Sequence, residues 1–239
     1  GNPKFKYIIN DKNMNGSVSR NNGVKYSNGD YLNFIDDDDF FLPGKIRYQV
    51  EQLNNLSSDW GASYSSRVTT FEGRGIRKSF AKQSGNVLYE YMLHKVTMGT
   101  GSLLIRKSVF IDIGGYDESF IRHQDWEFVA RIADNYKIAS AGPVFFERNY
   151  TFRHGPKSIK KAEEFMDYYT LVMNEKIKSL TPKQMKNVIT NNYAGISLKY
   201  LRQGEYKDFI RIFKKNCLSL VGIISIVRIG VKYSFNQII

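Results

Sequence analysis

Tyr31-Leu32-Asn33-Phe34-Ile35-Asp36-Asp37-Asp38-Asp39-Phe40-Phe41-Leu42-Pro43-Gly44-Lys45 is the stretch on which the reading of this chain turns. Its first part, Tyr31 to Ile35, is rich in β-formers and stops abruptly at the carboxylates Asp36 to Asp39. After Phe40-Phe41-Leu42, Pro43 can open a helix at its first turn, and Ile46, Val50 and Leu53 recur at helical spacing as its expected buried face. The pattern is strand, acidic loop, helix. Neighbouring carboxylates repel one another, and a divalent cation or a cationic partner would offset that cost. Ligand sites in α/β sheets lie at the carboxyl ends of strands, which is where this run falls. Hard oxygen ligands of this kind favour Mg²⁺ or Mn²⁺. An EF-hand does not fit, because the glycine and the closing glutamate that its loop requires are missing. A plain solvated loop is the competing reading of the same residues.

Upstream, Phe5 to Ile9 is expected as a short strand, and the Asn-, Gly- and Ser-rich segment to Gly29 as a loop around a short helix. Downstream, Ala62 to Thr70 and Gly101 to Lys107 are strand candidates, with a polar, basic and mobile connector expected from Glu72 to Gly85. Gly114-Gly115-Tyr116-Asp117-Glu118 is a turn, and His123 to Phe128 begins a helix whose Phe128, Ile132 and Ala133 face inward. Val144 to Arg153 is a late strand. Beyond Pro156 the pattern is helical to about Asn216, with a capping box at Thr181 and Gln184 around Pro182. Strands mixed with helices, then helices alone, predict an α/β domain with a helical tail.

The 239 residues, 42% of them apolar, suffice for a real core. The single cysteine, Cys217, excludes an internal disulfide framework and a Cys-based zinc site, which fits a reducing, cytoplasmic setting. No charged segment followed by an apolar one opens the chain, so no signal peptide is expected. The net charge of +12 is uneven. Residues 1–150 carry 19 Lys and Arg against 17 Asp and Glu, whereas residues 151–239 carry 16 against 6. Leu218 to Val227 is almost wholly apolar but too short to span a bilayer, which takes about 20 residues. Flanked by Lys214, Lys215, Arg228 and Lys232, it reads either as a core helix or as an in-plane helix on an anionic leaflet.

From about Lys4 to Arg153 the chain resembles the inverting glycosyltransferases of family 2, which have a GT-A fold. Two elements carry the resemblance. The first is Ser19-Arg20-Asn21-Asn22-Gly23, then Asn28-Gly29-Asp30-Tyr31, Phe34-Ile35 with the aspartate run, Leu42-Pro43 and Lys45. The second is Gly101-Ser102-Leu103-Leu104-Ile105-Arg106, then Gly114 to Glu118, then His123-Gln124-Asp125-Trp126-Glu127-Phe128 with Arg131. The resemblance implies a GT-A-like mixed, mainly parallel sheet flanked by helices. It implies a catalytic domain over residues 1–155, a helical extension over 156–216 and a basic amphipathic or apolar tail over 217–239. The family's opening strands, which bind the nucleotide base, are not found before Lys4, so a truncated front and a longer parent protein are expected.

Carried over residue by residue, Asp125 is the expected catalytic base. Asp38 and Asp36 are the expected ligands of Mn²⁺ or Mg²⁺, with His154 as a further one, and Asp39 supports them. Arg20, Asp36 and Asp37 face the donor, while Trp126, Gln124 and Gly101 lie on the acceptor side. Transfer with inversion needs one carboxylate to take the acceptor's proton, and charge stabilisation at the leaving diphosphate is a separate task. The implied donor is a nucleotide sugar, by family habit a UDP-sugar. The implied acceptor is a saccharide or lipid-linked hydroxyl, in surface polysaccharide or glycolipid synthesis, in the cytoplasm or at the inner face of the plasma membrane. The competing reading is a non-catalytic basic module for nucleic acid or a partner protein, built on a degenerate transferase domain. The chain has no nucleic-acid-binding signature and its positive excess lies outside the motifs, so no nucleic acid is expected.

Overall fold

A computed structural model describes residues 5–10, 12, 14–71, 75–150 and 158–235. The chain forms two compact units. The first comprises residues 1–68, 78–87 and 97–148, and the second residues 69–77, 88–96 and 149–239.

The first unit opens with helix α1, Gly16–Lys25, whose N-cap Asn15 accepts a hydrogen bond from the Val18 amide at 3.0 Å. Strand β1, Tyr31–Leu32, leads to the aspartate run. That run is a turn, closed by the Asp39 amide donating to the Asp36 carbonyl at 3.2 Å. A turn is the sensible response to like charges in sequence, because it splays Asp36, Asp37 and Asp38 into solvent. Asp39 instead enters strand β2, Asp39–Phe41, buried and in register with Arg148. Helix α2, Lys45–Asn54, follows, then strands β3, Trp60–Phe71, and β4, Gly75–Ser79. Short helix α3, Leu88–Met92, belongs to the second unit, and after it the first unit continues with strand β5, Leu103–Arg106, and helix α4, Lys107–Asp112. Helix α5, Gln124–Asn135, and strand β6, Lys137–Tyr150, complete the α/β part. The sheet runs in the order β1-β5-β3-β6-β2, with β4 on β3. The β1–β5, β3–β5 and β2–β6 pairings are antiparallel. Ala62, Tyr64, Leu103 to Ile105, Phe128, Ile132 and Phe146 fill the core, and Ala133 faces inward with Phe128 and Ile132 as expected.

Three local expectations are corrected. Phe5 to Ile9 is not a strand: it has no pairing neighbour among the described residues, and Phe5, Tyr7 and Ile9 are exposed, so its backbone gains no ladder bonds. The Glu72–Gly85 connector contains strand β4, which pairs with β3. Helix α2 is rotated, with Lys45, Gln49 and Leu53 buried while Ile46 is 42% exposed. The reason is polar. Gln49 Nε2 donates to the Ser63 carbonyl at 2.8 Å and the Ser102 carbonyl at 3.1 Å, and a buried amide with such partners outranks one aliphatic contact.

The second unit is mainly helical. Helices α6, Ile159–Lys176, and α7, Pro182–Arg202, precede α8, Tyr206–Ile212, a π-turn over Phe213–Cys217 and α9, Leu220–Phe235. The expected capping box forms, with Gln184 N–H donating to Thr181 Oγ1 and Thr181 N–H to Gln184 Oε1. Glu163 on α6 takes both nitrogens of Arg211 at 2.7 and 2.8 Å and the Tyr200 hydroxyl at 2.7 Å. The Arg211 bonds hold the Glu163 carboxyl below its ordinary range. Among the described residues no helix is long and apolar enough to cross a membrane.

Candidate active site

Arg20, on α1, is where the two sequence elements meet. Its guanidinium lies 3.2 Å from Asp36 at the head of the acidic turn and 3.4 Å from Asp125 on α5. Arg20 is largely covered, with 16% of its side chain exposed, while the two carboxylates stay open to solvent at 52% and 40%. Burial works against the guanidinium's charge, and Asp125 and then the other neighbours outweigh it, so the net shift keeps Arg20 firmly cationic. From below it rests 5.3 Å over the Tyr116 ring.

Each of these positions is built by a neighbour. Asn21, next to Arg20, grips the Tyr116 backbone on both sides: the Tyr116 amide donates to Asn21 Oδ1, and Asn21 Nδ2 donates to the Tyr116 carbonyl, each at 2.9 Å. Asn21 also reaches Glu118 Oε1 at 2.9 Å, so α1 is stapled to the Gly114–Glu118 turn. Gly115 has φ +70°, and a Cβ there would come within 2.9 Å of Asn21 Oδ1, so this turn requires glycine twice over. Tyr116 stacks on Phe128 at 3.9 Å and meets Phe34 edge-on at 5.5 Å, which locks the platform under Arg20. Burial drives the Tyr116 hydroxyl far above its ordinary range, and it stays protonated.

Helix α5 starts after His123, a non-glycine residue in the left-handed region at φ +63°. That turn sets Asp125 in the first helical turn. Gln124 lies beside Arg20, and a Cβ on Gly16 would sit 3.1 Å from Arg20 Nη1 and 3.3 Å from Gln124 Nε2, so Gly16 leaves room for both. Trp126 stacks on His123 at 4.4 Å, giving the mouth of α5 a two-ring face. Behind them, buried Glu127 pairs with Arg131 at 2.5 and 2.8 Å, and Arg131 donates to the Ile113 and Gly115 carbonyls at 2.5 and 2.7 Å. Gly101 is buried under Phe146, whose Cζ would lie 2.2 Å from an added Cβ.

The structure thus brings Arg20, Asp36, Gln124 and Asp125 together. Asp37 and Asp38 stand exposed on the same turn as Asp36, and His154 lies outside the described residues. Among the described residues no three carboxylate, histidine or cysteine side chains gather into a ready metal cage. Asp36 and Asp38 on an open turn still suit a cation of the Mg²⁺ kind, which is commonly held by one or two carboxylates together with substrate phosphates.

Asn21, His123 and Lys45 acquire roles or environments that the sequence did not assign them. Asn21 could have been suspected from its place beside Arg20, whereas nothing local marks His123. Lys45 is 1% exposed, with Nζ donating to Asn33 Oδ1 and lying 4.5 Å over the Phe41 ring. Burial pulls its pKa from an ordinary 10.5 down to about 7. Between those values the unfolded chain binds more protons than the folded one, so stability should rise with pH from about 7 to 10.5. Urea titrations at several pH values should show Lys45→Met losing up to about 1.4 kcal/mol per pH unit of that slope. Parallel curves for the two proteins would contradict it.

A family model described as "Glycosyltransferase like family 2" matches residues 4–179. The chain is 30% identical over 134 residues to the uncharacterized glycosyltransferase YwdF of Bacillus subtilis, covering 55% of this chain and 49% of that protein. It is 27% identical over 175 residues to the uncharacterized glycosyltransferase MJ1057 of Methanocaldococcus jannaschii, covering 72% and 60%. The amylovoran biosynthesis glycosyltransferase AmsB of Erwinia amylovora is 22% identical over 149 residues, covering 54% and 44%. The fold is similar to that of S. aureus TarS residues 1–349, solved in complex with UDP, at a TM-score of 0.56 and 16% identity over 87% of this chain and 62% of that one. The matches span between about half and three fifths of the length of YwdF and MJ1057.

Proposed function

Because the chain belongs to the family 2-like glycosyltransferases, we propose that it moves a sugar from a nucleotide sugar, a UDP-sugar in our reading, to a hydroxyl of a saccharide or lipid-linked acceptor, with inversion. The observation that supports this most directly is the double ion pair of Arg20, which puts the acidic turn and Asp125 in one site. The relatives add context: AmsB is named for amylovoran biosynthesis and TarS was solved with UDP. We place the product in cell-surface polysaccharide or glycolipid, and the reaction in the cytoplasm, at the inner face of the plasma membrane. A free, buried Cys217 accords with a reducing compartment.

Asp125 takes the proton of the acceptor hydroxyl while that oxygen forms its bond to the anomeric carbon. The bond from that carbon to the nucleoside diphosphate breaks on the opposite face, and the electron pair leaves with the diphosphate. Arg20 supplies a positive charge beside both events, with a planar guanidinium suited to phosphate oxygens. Its ion pairs also orient the Asp36 and Asp125 carboxylates before substrate arrives. Asp38 and Asp36 would hold Mn²⁺ or Mg²⁺ against the diphosphate, where the ion supplies charge stabilisation for the leaving group. Gln124 and the stacked Trp126 line the acceptor side, Trp126 with a ring face that suits a sugar.

The test is thermal stabilisation by UDP with and without Mn²⁺, followed by a screen of nucleotide sugars for turnover. A Mn²⁺-dependent rise in melting temperature is expected, of a size set by the ratio of ligand to Kd. Asp38→Ala should abolish the Mn²⁺-dependent part. Salt-sensitive stabilisation by oligonucleotides with none by UDP would instead support the basic binding module.

A further inference from the structure

Helix α9 leaves a broad apolar stripe exposed. Its two fully buried positions among the described side chains are small: Ser225 is 5% exposed, and Gly222 lies so close to the π-turn that a Cβ would come within 2.0 Å of the Cys217 carbonyl oxygen. Four of its large aliphatic residues point outward, Leu220 73%, Ile223 51%, Ile224 56% and Val227 59% exposed, while Val221, Ile226 and Ile229 are half-buried. These four recur at the spacing of one helical stripe, and Leu218, in the connection before the helix, is also 73% exposed. A helix wholly enclosed in a globular core would bury such a stripe, because that removes apolar surface from water. Arg228 fixes the orientation, its Nη2 donating to Asn191 Oδ1 on α7, and the Ser219 hydroxyl accepts from the Gly222 amide at 3.1 Å.

We infer that this stripe lies in the plane of an anionic membrane surface, with Leu220, Ile223, Ile224 and Val227 in the acyl boundary and Lys214 and Lys215 at the headgroups. Two observations select this occupant. Lys214 and Lys215 are exposed one turn before the stripe, and residues 151–239 carry 16 basic against 6 acidic residues. A second copy of the chain would bring the same positive charge face to face, whereas acidic headgroups complement it. The inference rests on this surface alone and does not depend on the transfer reaction. It would also bring the chain to where a lipid-linked acceptor resides.

Co-sedimentation with vesicles tests it. The chain should partition at least about tenfold more strongly onto phosphatidylcholine vesicles containing phosphatidylglycerol than onto phosphatidylcholine alone, with the difference fading as salt rises. Lys214→Gln with Lys215→Gln should weaken binding to the anionic vesicles about 30-fold, at about 1 kcal/mol per lysine. Ile223→Ser with Ile224→Ser should cost at least about tenfold on either vesicle, and both residues are exposed enough for the fold to persist, which circular dichroism checks. Absence of vesicle binding, or binding indifferent to the isoleucine pair, overturns the assignment. A dimer in gel filtration that the isoleucine pair dissolves, without vesicle binding, would show that a second copy covers the stripe.

Discussion

Asp125→Asn is expected to reduce sugar transfer by about 10²–10⁴-fold while leaving donor affinity within a few-fold of wild type. An asparagine keeps the size and position of the side chain at the first turn of α5. It cannot take up the acceptor's proton at neutral pH. The ion pair with Arg20 at 3.4 Å means that the change also removes a charge from the site, so calorimetric titration with UDP is needed alongside initial rates of nucleotide release. Loss of rate with retained binding identifies a base, because the interaction lost is one made only in the transition state. Wild-type turnover would remove Asp125 from the mechanism, and an equal fall in affinity and rate would make it a donor contact.

The second large effect lies behind the site. Glu127→Ala should destabilise the protein by about 3–5 kcal/mol, because it leaves the Arg131 guanidinium charged and without its carboxylate in a closed environment. Glu127 has no exposed side-chain surface and Arg131 only 11%. Arg131 also holds the Ile113 and Gly115 carbonyls, so the strain should spread to the turn that carries Tyr116 and through it to Arg20. Glu127→Gln keeps volume and an acceptor and should cost less, while Glu127→Leu with Arg131→Met should recover part of the loss, since a buried ion pair replaced by apolar residues is often near neutral. Urea midpoints at constant m-value measure all three. A loss below about 1 kcal/mol in the alanine variant would mean that the pair is solvated and does not organise the site.

Much of the architecture was legible from local chemistry. The spacing of Phe128, Ile132 and Ala133 predicted the inward face of α5, and the Thr181, Pro182, Gln184 pattern predicted a helix start that forms as expected. Both are decided within one or two turns of chain, where propensity and capping operate. The spacing of Ile46, Val50 and Leu53 predicts a different buried face for α2 from the one observed, because periodicity weighs apolar residues only. Lys45 and Gln49 are drawn inward by Asn33, Ser63 and Ser102, which are remote in sequence. Phe5 to Ile9 has the composition of a strand, but a strand exists only where a neighbour supplies hydrogen bonds.

By itself the sequence determined which residue types are available for chemistry: a run of carboxylates before a helix, an arginine on a polar helix, a lone aspartate at a later helix start. The tertiary structure alone decided that Arg20 joins Asp36 to Asp125, that Asn21 and Arg131 brace that junction, and that α9 leaves the stripe of Leu220, Ile223, Ile224 and Val227 on the outside. Propensity, capping and spacing are settled over a few neighbouring residues. An ion pair between distant segments, or the choice of which side of a nearly all-apolar helix is packed, depends on surfaces that come together only when the chain has folded.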